Sequence, residues 1–148
     1  ARLPLIARTG RTRLAFEIAA GAHHWQTSWH KMTRATLSLG RAFQAGPGYD
    51  GWLNIDAAYE RRYGFSRPAY KLDLTAGLSS GPLLRPLLQI ETTHVPGQGR
   101  YWSVTPAVLI GGARGGKGGG NAAWLIGVER KSAPQDSYGL KLALWRNF

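Results

Sequence analysis

The sequence predicts an all-β chain, an antiparallel up-and-down sheet of eight strands that closes into a barrel. Three observations predict it. Apolar and polar residues alternate with period two through segment after segment, the mark of strands with one apolar face. Between those segments the chain is punctuated by turn residues, drawn from 20 Gly and 8 Pro in 148 residues. The alternating segments run to about ten residues, the length a tilted strand needs to cross a hydrocarbon layer. A chain of this length is read as one domain. Residues 1–11 form an N-terminal arm or short extra strand, and residues 12–148 the barrel.

From Thr12, Leu14, Phe16, Ile18, Ala20 and Ala22 alternate with Arg13, Ala15, Glu17, Ala19 and Gly21. The polar stretch 26–33 is expected to break that pattern. Residues 34–43 alternate again, with Ala35, Leu37 and Leu39 opposite Thr36, Ser38 and Gly40, and residues 45–51 (AGPGYDG) are a turn. The third strand sets Leu53, Ile55, Ala57 and Tyr59 against Trp52, Asn54, Asp56, Ala58 and Glu60. The fourth is the most regular, with Tyr70, Leu72, Leu74, Ala76 and Leu78 against Lys71, Asp73, Thr75, Gly77 and Ser79. Leu88 and Ile90 mark the fifth strand, and Trp102, Val104, Pro106, Val108 and Ile110 the sixth. Pro106 removes a ladder donor, so a bulge or local break is expected there. A glycine-rich segment, 111–121, leads to the seventh strand around Trp124, Ile126 and Val128. The eighth puts Tyr138, Leu140, Leu142 and Leu144 on one face and Gly139, Lys141, Ala143 and Trp145 on the other.

The two faces differ in charge. The less apolar face carries Glu17, Asp56, Glu60, Asp73, Glu91 and Glu129, six of the eight acidic residues, together with Arg13, Arg34, Lys71 and Lys141. Side chains fill the interior of an eight-stranded barrel. Turned inward, Glu17, Asp56, Lys71, Asp73, Glu91, Glu129 and Lys141 are therefore expected to form an interior ion network, with the apolar face turned to lipid. The aromatic residues sort toward the two ends of the strands, as the girdles of membrane barrels do. The inverse arrangement, a soluble lipocalin-like carrier, would line a cavity with the apolar face instead.

Composition narrows the classes. No run of 18 apolar residues exists, so no transmembrane helix is expected. Cys is absent, which leaves neither disulfides nor thiolate metal sites. The chain opens at Ala1 without Met or a hydrophobic leader, as a mature exported protein would. The net charge of +11 suits anionic partners. Nucleic acid would want the basic residues on one face; here they divide between both ends of the strands. Anionic lipid is the better match, and no nucleic-acid partner is expected.

The closing run Tyr138-Gly-Leu-Lys-Leu-Ala-Leu-Trp-Arg-Asn-Phe148 resembles the last strand of small, about eight-stranded bacterial outer-membrane β-barrel proteins. The resemblance implies an insertion signal in Tyr138, Leu140, Leu142 and Phe148, and a place in the outer membrane of a Gram-negative envelope. It implies lipid and lipopolysaccharide as surroundings, the barrel-assembly machinery as a partner during insertion, and other envelope proteins as neighbours. The role it implies is structural, envelope-stabilising or surface-interacting, with no cofactor. Some such barrels trim or acylate lipid A, which supplies the enzymatic alternative.

Candidate chemistry sits at the end of the barrel away from the termini. His23, His24, His30 and His94 all fall there, and imidazoles can bind transition metals or act as bases. His94 and His30 are the candidates for a lipid A-modifying centre. No His has Ser two residues on, the pair that the resemblance associates with deacylation, and the spacing of Ser28, Ser66 and Asp136 marks no acyltransferase set. No metal site is expected. Arg61, Arg62, Arg67, Arg100, Arg130 and Lys131 gather at the same end as candidates for lipopolysaccharide phosphates. Residues 111–118 (GGARGGKG) nearly spell a phosphate-binding loop, but Gly118 replaces the required hydroxyl and the next segment reads as a strand. A basic turn is the better reading.

Overall fold

The structure, a computed structural model, describes residues 1–6, 11–25, 27–64, 67–80, 83–111, 122–132 and 135–146. Nine strands occupy them: β1 (Arg2–Ile6), β2 (Thr12–Trp25), β3 (Ser28–Gly46), β4 (Tyr49–Arg62), β5 (Ala69–Leu78), β6 (Leu84–Val95), β7 (Gly99–Gly111), β8 (Ala122–Lys131) and β9 (Ser137–Arg146). They form one antiparallel sheet in which each strand pairs with the next in sequence. The all-β, up-and-down prediction is met.

One expectation is decided and another corrected. Residues 12–148 hold eight strands, β2 to β9, and of the two readings of residues 1–11 the short extra strand is the one seen, Arg2–Ile6 pairing with Leu14–Glu17 of β2. Five residues with a central Pro4 carry too little alternation to decide between arm and strand; the open edge of β2 supplies the template. The sheet, against expectation, is not closed. Its order runs from β1 to β9 without joining those two edges. Alternation marks strands and faces, whereas closure depends on pairing between segments far apart in sequence.

The polar stretch 26–33 interrupts the apolar alternation but not the pairing, since β2 and β3 stay in one register from Thr12↔Arg41 to Trp25↔Ser28. Backbone pairing of a hairpin uses main-chain groups and carries on whatever the polarity of the side chains. Pro106 behaves as its chemistry requires. Between β7 and β8, Val104 pairs with Arg130 and Ala107 with Gly127, and the two positions between them are unpaired without a change of register. On the β6 side, Pro106 still stands opposite Leu88.

The register settles which face is which. Phe16, Leu37, Ala57 and Leu72 lie side by side across β2 to β5, and Leu74, Ile90 and Val104 continue this face through β7. Ile126 and Leu142 extend it to β9. This face is exposed: Leu72 is 54%, Leu140 69% and Leu142 61% accessible. The other face holds every buried side chain named in the core, both the apolar cluster of Leu87, Ala107, Leu109, Ala123 and Leu125 and the polar Thr36, Ser38, Glu60, Ser103 and Thr105. Gly127 belongs to this inner face, where a Cβ would lie 2.7 Å from the Cβ of Ala107 and 2.9 Å from the carbonyl of Pro106. Only glycine allows β7 and β8 to approach so closely.

Candidate functional site

The inner face gathers the charges. Register puts Glu17, Asp56, Lys71, Asp73, Glu91, Glu129 and Lys141 on it, all seven of the expected interior group. They are joined by Arg34, Glu60, Arg62 and Lys131. The hub is Glu60, whose side chain is 3% exposed. One carboxylate oxygen accepts from Arg62 at 2.6 Å and the other meets the Lys71 ammonium at 3.0 Å. A carboxylate so buried needs this double compensation.

Around the hub the pairs are looser. Arg34 reaches Asp73 at 4.0 Å and donates from Nε to the Thr36 hydroxyl at 3.2 Å. Asn54 donates to Asp56 at 2.6 Å. Asp56, Asp73 and Glu91 stand directly opposite one another on β4, β5 and β6, a row of three carboxylates one strand spacing apart. Like charges in that relation repel, which explains the cations around the row. Lys141 of β9 meets Glu91 of β6 at 3.6 Å, spanning two intervening strands, and the Ser103 hydroxyl donates to Glu91 at 3.3 Å. Glu129 pairs with Lys131 at 2.9 Å.

The outer face is charged only near the ends of its strands. Lys31, Arg41, Arg61, Arg100 and Arg130 share it with the apolar residues, each close to one end of its strand. Among the described residues nothing charged lies between those ends on this face, and every acidic residue within the strands is on the other. On β7 the uncharged stretch from Trp102 to Ile110 measures about 26 Å along the strand, at about 3.3 Å per residue.

The six basic residues expected together do share one end of the sheet, but not one surface. Arg61, Arg100 and Arg130 face outward, Arg62 and Lys131 inward onto their glutamates, and Arg67 lies before β5, donating to the Pro96 carbonyl at 2.5 Å. Arg130 is held on β8 by Asp136 at 2.8 Å and packs against two rings, 5.4 Å from Trp102 and 5.9 Å from Tyr138. Outward Tyr59 and Tyr70 add an edge-to-face pair at 5.7 Å near this end. Trp52 and Tyr101, in contrast, stand on the inner face, so they fall outside any outer girdle.

The histidines do not converge. His30 is on the inner face opposite His23, the rings stacked 5.5 Å apart. His24 is on the outer face against Trp29. His94 is also outward, on β6, with Nδ1 3.2 Å from the Gly99 carbonyl. His30 and His94 thus lie on opposite faces and on different hairpins. Among the described residues no three of His, Asp and Glu form a group that could hold a metal ion. Tyr138, Leu140 and Leu142 of the expected insertion signal face outward. Phe148, Ser66 and the glycine-rich segment 112–121 lie outside the described residues.

Sequence reading placed Glu60 on the polar face without marking it as the hub, and took Arg62 for the rim. The missing signal was register. Glu60 and Arg62 share a face by their spacing of two, and Glu60 stands opposite Arg34 once β3 and β4 are aligned. Comparison with protein-family models, with curated proteins and with solved structures gave no significant match.

Proposed function

We propose that this chain is an integral β-barrel protein of a bacterial outer membrane, without enzymatic activity, whose role is structural or surface-interacting within the envelope. One observation carries the proposal: an uncharged apolar band faces outward across the sheet, and the ionic groups either face inward around the buried Glu60 or are set near the strand ends. Water would favour the reverse, since burying carboxylates costs far more than exposing them. Hydrocarbon reverses that preference and tolerates outward charge only near its boundaries. The lipocalin-like alternative needs Leu72, Leu140 and Leu142 to line a cavity, and they point the other way.

Lipid and lipopolysaccharide are the natural surroundings. Outward Arg61, Arg100 and Arg130 sit where their long stems can lie along apolar surface while the guanidinium groups reach phosphates. The barrel-assembly machinery is the proposed partner during insertion, and β9, with Tyr138, Leu140 and Leu142 outward, the strand it would read. Lipid A chemistry is not favoured, because His30 and His94 belong to different faces.

The test is fractionation of the native protein. It is expected in outer membranes, resistant to alkaline extraction, soluble only with detergent, and faster on gels before heating than after. Recovery as a detergent-free soluble protein would reject the reading.

A further inference from the structure

We infer that in lipid the free edge of β9 joins the free edge of β2, setting Ala143 opposite Ala19 and Leu142 opposite Ala20, so that β2–β9 close as eight strands and β1 stays outside the ring. This rests on the membrane reading above, because an open sheet edge has no place in hydrocarbon.

Strand direction selects the partner. β1 and β9 both run antiparallel to β2. A β9–β1 junction would therefore be parallel, whereas β9 against β2 continues the antiparallel pattern of every other pair.

Register then fixes the height. Followed across the ladders from β9, Lys141 is level with Gly127, Ala107, Leu87, Gly77, Trp52 and Ala42. The Ala42 amide donates to the carbonyl of Arg11 at 2.8 Å, just below the start of β2. A row that begins in the middle of β9 thus runs off the lower end of β2. The sheet is staggered in the sense that brings β9 to the upper part of β2 on closing.

The size of the stagger follows from barrel geometry. Eight strands about 4.8 Å apart, rising about 3.3 Å per residue and tilted about 35–45°, require an offset of about eight to twelve residues. The middle of that range, about ten residues, moves Lys141 from the level of Arg11 to Gly21. Leu142 then meets Ala20 and Leu140 meets Ala22, both on the outer face. Ala143 meets Ala19 on the inner face.

An independent feature gives the same place. β1 covers β2 only at Leu14–Glu17, with Ala1 bonded to Ile18. From Ala19 to Ala22 no strand pairs with that edge among the described residues. The offset lays Leu140 to Ala143 of β9 on those four positions. β1 and β9 would then follow each other along one edge of β2 with an overlap confined to the last residues of β9.

The chain has no Cys, so paired cysteines report the junction directly. The full chain is made with Ala19→Cys and Ala143→Cys, and separately with Ala20→Cys and Leu142→Cys. A displaced control carries Ala15→Cys and Ala143→Cys. Each variant is oxidised in isolated outer membranes. Both matched pairs should form disulfides within one chain, and the control should remain reduced, since bridging needs Cα atoms within about 7 Å. The Ala19/Ala143 pair replaces only alanines, which keeps the test valid if the Leu142 variant folds poorly. Bridging in the control instead overturns the register. Disulfide-linked dimers overturn closure within one chain and assign the edge to a second copy. A membrane-embedded variant with free thiols in both matched pairs overturns closure and leaves the membrane reading standing. A chain that does not enter membranes at all overturns both.

Discussion

The inner face is built in two ways at its two ends. Toward the β3–β4 turn, Leu87, Ala107, Leu109, Ala123 and Leu125 pack with Trp52 and Ala143. Toward the opposite end, Glu60, Lys71, Arg62, Arg34, Asp73 and Glu91 fill the same side of the same sheet with charge. In the apolar half each atom needs only contact, so the loss of a side chain is felt in proportion to the space it leaves. In the ionic half each buried group needs a particular partner, and removing one member strands the others. The difference teaches that one surface can fail gradually at one end and abruptly at the other.

Breaking the hub should give the largest effect. Glu60→Leu leaves Lys71 and Arg62 without their shared carboxylate, and disrupting a buried pair in this way costs about 3–5 kcal/mol. Urea titration of protein refolded in detergent or lipid measures it. A loss near zero would mean that both cations find water, and that the ionic half is wet.

In the apolar half Leu125 is fully buried. Leu125→Ala is expected to cost about 3 kcal/mol through lost burial and the cavity it leaves, read in the same titration. An effect well below this would show that the cluster collapses around the gap. The contrast sharpens further with Asp73→Asn. Asp73 is 4.0 Å from Arg34 and stands between Asp56 and Glu91. Removing its charge relieves the repulsion of its neighbours in the row while losing the loose Arg34 pair and the attraction of Lys71. The midpoint should shift slightly toward stability, by less than about 1 kcal/mol. A loss as large as that of Glu60→Leu would make Asp73 a second hub.

The strands and the polarity of their faces were legible in the sequence. Leu72, Leu74 and Tyr70 alternate so regularly with Lys71 and Asp73 that only the direction of the inner face was open, and the structure turns the charges inward. What alternation cannot carry is alignment between strands. Glu60 meets Arg62 through their spacing of two on β4, but becomes a hub only because β5 is aligned to bring Lys71 beside it, and Arg62 looked like a rim residue until its face was known. β1 stayed undecided between arm and strand for a related reason. Leu3, Pro4 and Leu5 have no pattern of their own and become a strand only against β2.

The gap at Pro106 has a mechanical meaning. Above it, Ser103 and Val104 hold Lys131 and Arg130; below it, the run from Ala107 to Gly111 holds Gly127 to Ala123. Between these two fastenings the backbone of β8 at Val128 and Glu129 is unpaired toward β7. The β8–β9 hairpin is therefore fastened to β7 as if by two separate rivets, both set in one register.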